Sequence, residues 1–495
     1  MRSLHDQFAP NRPNPGRRAG GAMKACAIWL LATAAALTAG CGGSAKLDKT
    51  GTPVRDKPLV LTLADHETGT LDVQNWIQEV QRRSGGTIRI EVRQGWRVKD
   101  PDYDRGTIAD VRAGRIDIAK IAARSWDEVG VQSFRALVAP MLVDSYALEQ
   151  RVLTSDLPAQ MLKRVNKQDL VGLAVLPGLL RKPLGISRVL RSPQDFANAR
   201  IGIRPGEVAR QTFAALGGKA VTYVPGDRAA VSRLDGAELD AEVIAGNAYD
   251  RNSRALTANV DLWPRTVTLV MNKRSFDRLT ARQRQALLSA SPTAAARTVK
   301  TIAQSDAQTT QVLCQRALKL VTATDSDLRA LHNALRPVYA TLERDAQTKR
   351  AIAEIQSLKS GLGAAGAPSV SKCGASSTAG IGQSSPIDGT YHSTVTRAQL
   401  LSNPKFEPGE DNPSNYGQFT LTIRGGRFEW RGSADGIPEG GTASVRGDRV
   451  TLRPTFPADQ TGQEFVYRWS RYRGVLSFTK VTPGPTFLVV HPWRQ

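Results

Sequence analysis

The sequence predicts an α/β fold followed by a separate all-β domain, and three observations carry that prediction. Between residues 195 and 242, strand-like and helix-like segments alternate: Arg200-Ile-Gly-Ile-Arg204 stopped by Pro205, then 207–216 closed by Gly217-Gly218, then 221–224, then 228–234. That order predicts a mostly parallel sheet with helices on its faces. Residues 359–385 are rich in Gly, Ala and Ser, the composition of a linker. Beyond them come short runs of alternating apolar and polar residues, with turn pairs at Gly425-Gly426 and Gly447-Asp448, which predict hairpins and a closed antiparallel barrel.

The chain of 495 residues begins with a polar, Arg-, Pro- and Gly-rich stretch, residues 1–22, that reads as an over-extended start. From Met23 the text changes: Lys24, an apolar run at 25–36, then Leu37-Thr-Ala-Gly40-Cys41. A positive end, a short apolar region and small residues before a cleavage point make a secretory signal, too short to be a spanning helix. Cys41 directly after Ala39-Gly40 resembles a lipobox, so residues 23–41 are expected to be a lipoprotein signal with Cys41 lipidated. A plain signal peptide and an uncleaved anchor are the alternatives. Residues 42–58 form a polar tether to the membrane. The formal net charge is +22. Its Lys and Arg residues are spread out, as on a surface facing an acidic envelope, although an anionic ligand would also suit them. No basic block is interleaved with aromatics, so nucleic acid is not an expected partner. With Cys26 removed and Cys41 lipidated, Cys314 and Cys373 remain and are expected to pair as a disulfide in an oxidising exterior, with two separate buried thiols as the alternative.

Leu59-Val-Leu-Thr-Leu63 reads as a strand buried on both faces, with Asp65-His66-Glu67 just past its end. Residues 71–83 are helical, with Val73, Trp76, Ile77 and Val80 on one face, and Ser84-Gly85-Gly86 ends them. A second strand at 88–92 leads to Gly95-Trp96, a helix at 103–113 and a strand entry at Gly114-Arg-Ile-Asp117-Ile-Ala119. Helix is expected at 146–163, strand at 170–176 and strand at 260–269. From 280 to 358 the pattern is largely helical, with Leu287, Leu288, Val299, Ile302, Leu313, Ala317 and Leu320 as core candidates.

Several of these pieces together resemble one family. Pro193-Gln-Asp195-Phe196, Arg200-Ile-Gly-Ile-Arg204, Ala215-Leu216-Gly217, Gly236-Ala-Glu-Leu-Asp240-Ala-Glu242, Leu256-Thr257, Met271-Asn272-Lys273 and Leu279-Thr-Ala-Arg-Gln283 follow one another in its order. So do Gly114 to Ala119 and Pro140-Met141-Leu142. The chain resembles the solute-binding proteins of tripartite ATP-independent (TRAP) transporters, the DctP type, over residues 59–358. That resemblance implies a two-lobed, periplasmic-binding-protein-like α/β fold, long helices that brace both lobes, and a small carboxylate ligand handed to the membrane subunits of a TRAP permease. The family's ligand-clamping Arg directly follows a Lys-Ile pair. Gly202 stands at that place here, and Arg204, two residues on, lies on the same strand face.

The candidate ligand residues follow from this. An Arg at the carboxyl end of a strand offers a planar fork that fits a carboxylate. Arg204 is therefore the first candidate, with a structural ion pair as its alternative. Arg181 lies near the family's upstream Arg, with Lys182 as competitor, and Arg124 follows the strand at 118–121. Trp96 would stack on a ligand or fill a domain edge. His66 would form a pocket wall. Glu242 matches the family's Glu, and Asn247 is the nearest amide to the family's Asn position. Asp65-His66-Glu67 is not read as a metal site, because adjacent side chains diverge and no second ligand group follows. No cofactor is expected. The sequence also lacks a Gly-x-Ser-x-Gly elbow, a His-Glu-x-x-His pair and a Gly-x-x-x-x-Gly-Lys loop, so an enzyme reading has no named nucleophile.

Residues 386–495 open on Gly389-Thr390-Tyr391 and end on His491-Pro492-Trp493-Arg494, which resembles the lipocalin/avidin-like barrel domain of some actinobacterial binding proteins. Tyr391, Phe419, Phe428, Trp430 and Trp469 are read as inward, filling a small barrel rather than lining a pocket. The expected protein is thus an extracytoplasmic, lipid-anchored carboxylate receptor. The alternative is a binding fold kept as a sensor or scaffold without transport.

Overall fold

The computed structural model describes residues 57–67, 71–98, 100–224, 226–363, 373, 385–406, 415–432, 438–456, 463–482 and 484–495. The start at 1–22, the leader with Cys41, most of the tether and most of 359–385 lie outside the described residues.

Two sheets build the first part. One contains β1 (Leu59–Ala64), β2 (Ile88–Arg93), β3 (Ile118–Ala122) and β4 (Leu170–Leu176). The other contains β5 (Leu180–Gly185), β6 (Arg200–Ile203), β7 (Lys219–Thr222), β8 (Gly236–Leu239), β9 (Ala255–Thr257) and the short β10 (Trp263–Pro264). β11 (Val267–Asn272) returns to the first sheet and β12 (Lys319–Val321) joins the second. The orders are β2-β1-β3-β11-β4 and β12-β9-β5-β8-β6-β7. Both sheets are mixed. β11 runs antiparallel to β3 and β4, and β5 antiparallel to β8 and β9. The mostly parallel expectation holds for the remaining strands: β1 to β4 share one direction in the first sheet, and β6 to β9 with β12 share one in the second. The strands that run against them, β11 and β5, are those by which the chain enters from the other lobe.

The crossings lie side by side. β4 runs into β5 through Pro177-Gly178-Leu179, and β10 runs into β11 through Arg265-Thr266. Trp263 pairs with Arg181 in one sheet and Val267 with Leu176 in the other. The run expected as one strand at 260–269 is therefore two strands in two sheets; an apolar run cannot reveal which sheet each half joins. Backbone approach is so close here that a Cβ on Gly178 would lie 2.0 Å from the Arg265 carbonyl oxygen. Gly178 N–H donates to Glu149 Oε1 at 2.9 Å, so the bare backbone of the crossing has a buried acceptor.

A 25-residue helix, Ser291–Gln315, braces both lobes. At ~1.5 Å per residue it is roughly 37 Å long. Its Ala294 belongs to the core under the first sheet with Leu61 and Trp76, and its Leu313 to the core under the second with Leu184 and Leu256. Leu288 is 43% exposed, Ala317 is exposed just past the helix end with φ 68°, and Leu320 is half-buried. These three correct the expected core list; Leu287 and Leu288 are adjacent and lie about 100° apart around the helix, so only Leu287 faces inward. The helix expected at 146–163 is two helices, Tyr146–Leu153 and Leu157–Leu162. Pro158 starts the second, where its missing N–H costs nothing. The start of β1 is also more open than its apolar run suggested, with Leu59 and Val60 exposed.

The C-terminal strands Gly389–Val395, Gly417–Arg424, Arg427–Gly432, Pro438–Arg446, Arg449–Phe456, Phe465–Tyr472, Val475–Lys480 and Trp493–Arg494 form a closed antiparallel barrel. Gly425 and Gly426 both have positive φ, 56° and 75°, the geometry a two-residue hairpin needs to match strand twist. Tyr391, Phe419, Phe428, Trp430 and Trp493 are buried inside it, and Trp469 is half-buried. The Phe487 ring stacks on Phe419 at 4.5 Å, so side chains occupy the interior.

Cys314 and Cys373 form a disulfide 59 residues apart in sequence, and Arg316 bonds Glu429 of the barrel at 3.1 Å. On loop-closure entropy alone, removing a crosslink of this span destabilises by about 4 kcal/mol. Reduction, or Cys314→Ser with Cys373→Ser, should therefore lower the melting temperature measured by calorimetry. Gly178→Ala should be worse than a typical surface change, costing about 3 kcal/mol or more in denaturant unfolding, because its methyl meets backbone that cannot rotate away.

Candidate functional site

Strand ends converge where the two sheets face one another. β1 ends at Asp65-His66-Glu67, β3 at Arg124, β6 at Arg204 and β8 at Asp240. Pro205 stops β6, which leaves Arg204 as the last side chain before the helix Glu207–Ala215. Tyr103 opens the helix Tyr103–Arg112 on the opposite lobe, and Tyr223 follows β7.

Arg204 is only 4% exposed. Its guanidinium carbon lies 5.1 Å from the Tyr103 ring centre and 5.7 Å from that of Tyr223, so one ring from each lobe flanks it. Nη1 donates to the Tyr223 carbonyl at 2.6 Å. Nη2 is buried without a hydrogen-bond partner, and no carboxylate of the described residues pairs with this guanidinium. A guanidinium cannot lose its charge at any ordinary pH, so an open donor of this kind calls for a partner that is not protein.

The neighbouring cations are occupied. Arg181 Nη1 donates to both Glu238 oxygens at 2.8 Å, and its Nε lies 3.9 Å from Asp240. Glu238 Oε1 also accepts the Arg204 backbone N–H at 3.3 Å. Lys182, one residue on and therefore on the other strand face, pairs with Asp261 and leaves the cleft to Arg181. Arg265, at the lobe crossing, pairs with Glu67 from the first lobe and lies 3.4 Å from Asp240 of the second. Lys120, in the middle of β3 and 2% exposed, contacts Asp65 at 2.8 Å, Glu67 at 2.7 Å and Asp72 at 3.0 Å. Burial pushes the Asp65 carboxyl up to about 7 against the pull of Lys120. Burial also raises Glu67, but Arg265 and Lys120 outweigh it and leave this carboxyl below its usual range.

The other expected residues divide. His66 stacks on Tyr103 at 4.0 Å, and burial lowers its imidazole to about 4, so it is a neutral wall beside the Arg204 sandwich. Arg124 donates to Asp104 at 3.0 Å, to the Tyr103 hydroxyl at 3.3 Å and across the lobes to the Pro205 carbonyl at 2.6 Å. Glu242 Oε1 accepts from Ser305 of the brace helix at 2.7 Å, and burial pushes its carboxyl up to about 8. Trp96 donates to Asp110 at 2.9 Å, beside Arg97 and Arg115 on the same carboxylate. Asn247 caps the helix Ala241–Gly246, its Nδ2 on the Val243 carbonyl at 2.9 Å. Neither Trp96 nor Asn247 is linked to Arg204 by a described hydrogen bond. Among the described residues no group of three or more His, Cys, Asp or Glu is arranged to hold a metal ion.

Tyr103, Tyr223, Glu238, Arg265 and Lys120 were not among the expected site residues. Glu238 and Lys120 did leave a signal: each is a charge inside an otherwise apolar strand, Gly-Ala-Glu-Leu and Ile-Ala-Lys-Ile-Ala, and such a charge needs a buried partner.

Two mixed sheets, a double crossing, a helix bracing both lobes and cationic strand ends in the gap are the architecture of a solute-binding protein. The family model for bacterial extracellular solute-binding protein family 7, DctP, matches residues 60–345, more than half of the chain, and the chain belongs to that family. Its members are TRAP-type receptors outside the cytoplasm, not enzymes. Among solved structures, a TRAP solute-binding protein of Chromohalobacter salexigens with bound D-glucuronate aligns with 16% identity, 60% of this chain, 99% of that chain and a TM-score of 0.54. A Bordetella pertussis extracytoplasmic solute receptor binding pyroglutamic acid aligns with 15% identity, 60% of this chain, 100% of that chain and a TM-score of 0.53. One from Ralstonia eutropha with bound (S)-2-acetolactate aligns with 20% identity over 60% and 99%, at a TM-score of 0.52. Among curated proteins, none matches the chain.

The raised Glu242 carboxyl has a consequence for stability. Its folded value of about 8 exceeds the ordinary glutamate value of 4.5, so the folded state holds the proton more tightly. The associated stability is present below about 4.5 and is lost as pH rises towards 8. Melting temperature recorded from pH 5 to 8 should fall less steeply in Glu242→Gln than in the parent.

Proposed function

We propose that this protein captures a small organic acid by its carboxylate in the gap between its lobes and delivers it to TRAP-type permease subunits. Arg204 carries the reading: a permanently charged fork, buried, flanked by a ring from each lobe and still holding an open donor. A carboxylate entering there exchanges water for charge-assisted hydrogen bonds in a low-dielectric space. Closure then joins two surfaces that the ligand touches together, Tyr103 and His66 on one lobe and Arg204 and Tyr223 on the other. D-Glucuronate, pyroglutamic acid and (S)-2-acetolactate, bound in solved structures of this fold, belong to the class of acids that this reading expects.

The division that accompanies this reading is a binding module over 59–358, a linker over 359–385 and a barrel domain over 386–495. The sequence of the leader and Cys41 supports, within this reading, a position at the outer face of the membrane, held there by lipid.

A thermal-shift screen of small carboxylates tests the site, since a ligand that binds only the folded state raises its melting temperature by mass action. Arg204→Met keeps most of the apolar bulk between the tyrosines and removes the fork. It should abolish the ligand-induced shift, while Arg124→Met, which loses a lobe contact but no open donor, should retain one. An Arg204→Met protein that responds as the parent does rules out this guanidinium as the clamp.

A further inference from the structure

The cleft contains more guanidinium groups than it offers to a guest. Arg181 lies next to Arg204, and both touch the same atom: Glu238 Oε1 is 2.8 Å from Arg181 Nη1 and 3.3 Å from the Arg204 backbone nitrogen. Glu238 projects from the buried strand β8, its side chain 1% exposed. It presents to Arg181 the two-oxygen face that a ligand carboxylate would present. Arg265 is likewise held, by Glu67 and Asp240. Two of these guanidinium groups thus share three carboxylates, and Arg204 has none among the described residues.

We propose that Glu238 acts as a built-in carboxylate that occupies Arg181 and so restricts this cleft to acids bearing a single carboxylate. This rests on the Arg204 reading and adds to it which acids are refused. A monoanion puts its charge on the open fork of Arg204. The second carboxylate of a dianion meets cations that, among the described residues, are already paired: Arg181, Lys182, Arg265 and Lys120. It also meets Glu238 and Asp240, and like charges brought together in a desolvated site cost several kcal/mol. Displacing Glu238 from Arg181 is no escape, because that leaves a buried carboxylate uncompensated.

Matched pairs of acids test this on the full chain: D-glucuronate against D-glucarate, and lactate against malate, each pair differing by one carboxylate. Thermal shift and calorimetric titration should give measurable binding to the single acids and at least about a hundredfold weaker binding to their dicarboxylate partners. Glu238→Gln keeps an acceptor for the Arg204 N–H and Arg181 but removes the charge. It should bring the dicarboxylates to within about tenfold of the single acids. Equal binding of both members of a pair by the parent overturns the proposal, and so does a Glu238→Gln protein with unchanged discrimination. If that variant does not fold, the parent's own preference decides. Failure of every acid to bind the parent overturns the Arg204 clamp itself, and this restriction with it.

Discussion

An arginine buried without an acid is the constraint around which the gap is built. Removing a guanidinium from water costs several kcal/mol even after the protein relaxes. Arg204 recovers part of that from the Tyr223 carbonyl and from two aromatic faces. Tyr103 comes from the other lobe, so its share of that compensation exists only while the lobes face each other. Pro205 ends the strand at the residue where the side chain must project, and the helix that starts at Tyr103 brings the second ring.

Around that centre, other charges tie the lobes at the point where they hinge. Arg265 lies on one of the two crossing strands and holds Glu67 on one side and Asp240 on the other. Arg124 reaches the Pro205 carbonyl, and Arg210 reaches Glu128 at 2.9 Å. These are bonds that a rotation between the lobes must break or stretch, whereas the packing of the brace helix against each core can persist through it. The contacts that join the two lobes across the gap are thus polar, whereas the brace helix meets each lobe largely through its apolar core.

Much of this was legible in the sequence, for identifiable reasons. Strand and helix periods located the α/β module, and turn chemistry located the barrel, down to the Gly425-Gly426 hairpin. Arg204 could be singled out because a proline follows it and an apolar alternation precedes it. The Glu238–Arg181 pair could not, because it joins β5 to β8 across 57 residues, and nothing local says which buried acid meets which buried base. The same blindness made 260–269 look like one strand: its two halves are equally apolar, and only the path of the chain sends them to different sheets. Motif position singles out Asn247, and a motif cannot show that its amide donates to the Val243 carbonyl at its own helix end. Trp96 was chosen for its ring, but its indole N–H is committed to Asp110.

The Cys314–Cys373 bridge gives the chain a second covalent route from the brace helix towards the barrel. A single peptide cut anywhere between those two cysteines would leave both fragments in one molecule, and they would migrate apart on a gel only after reductant was added. A cut between 373 and the first barrel strand would have no such safeguard. The bridge thus keeps the barrel covalently joined to the brace helix after a cut on one side of Cys373 and not after a cut on the other.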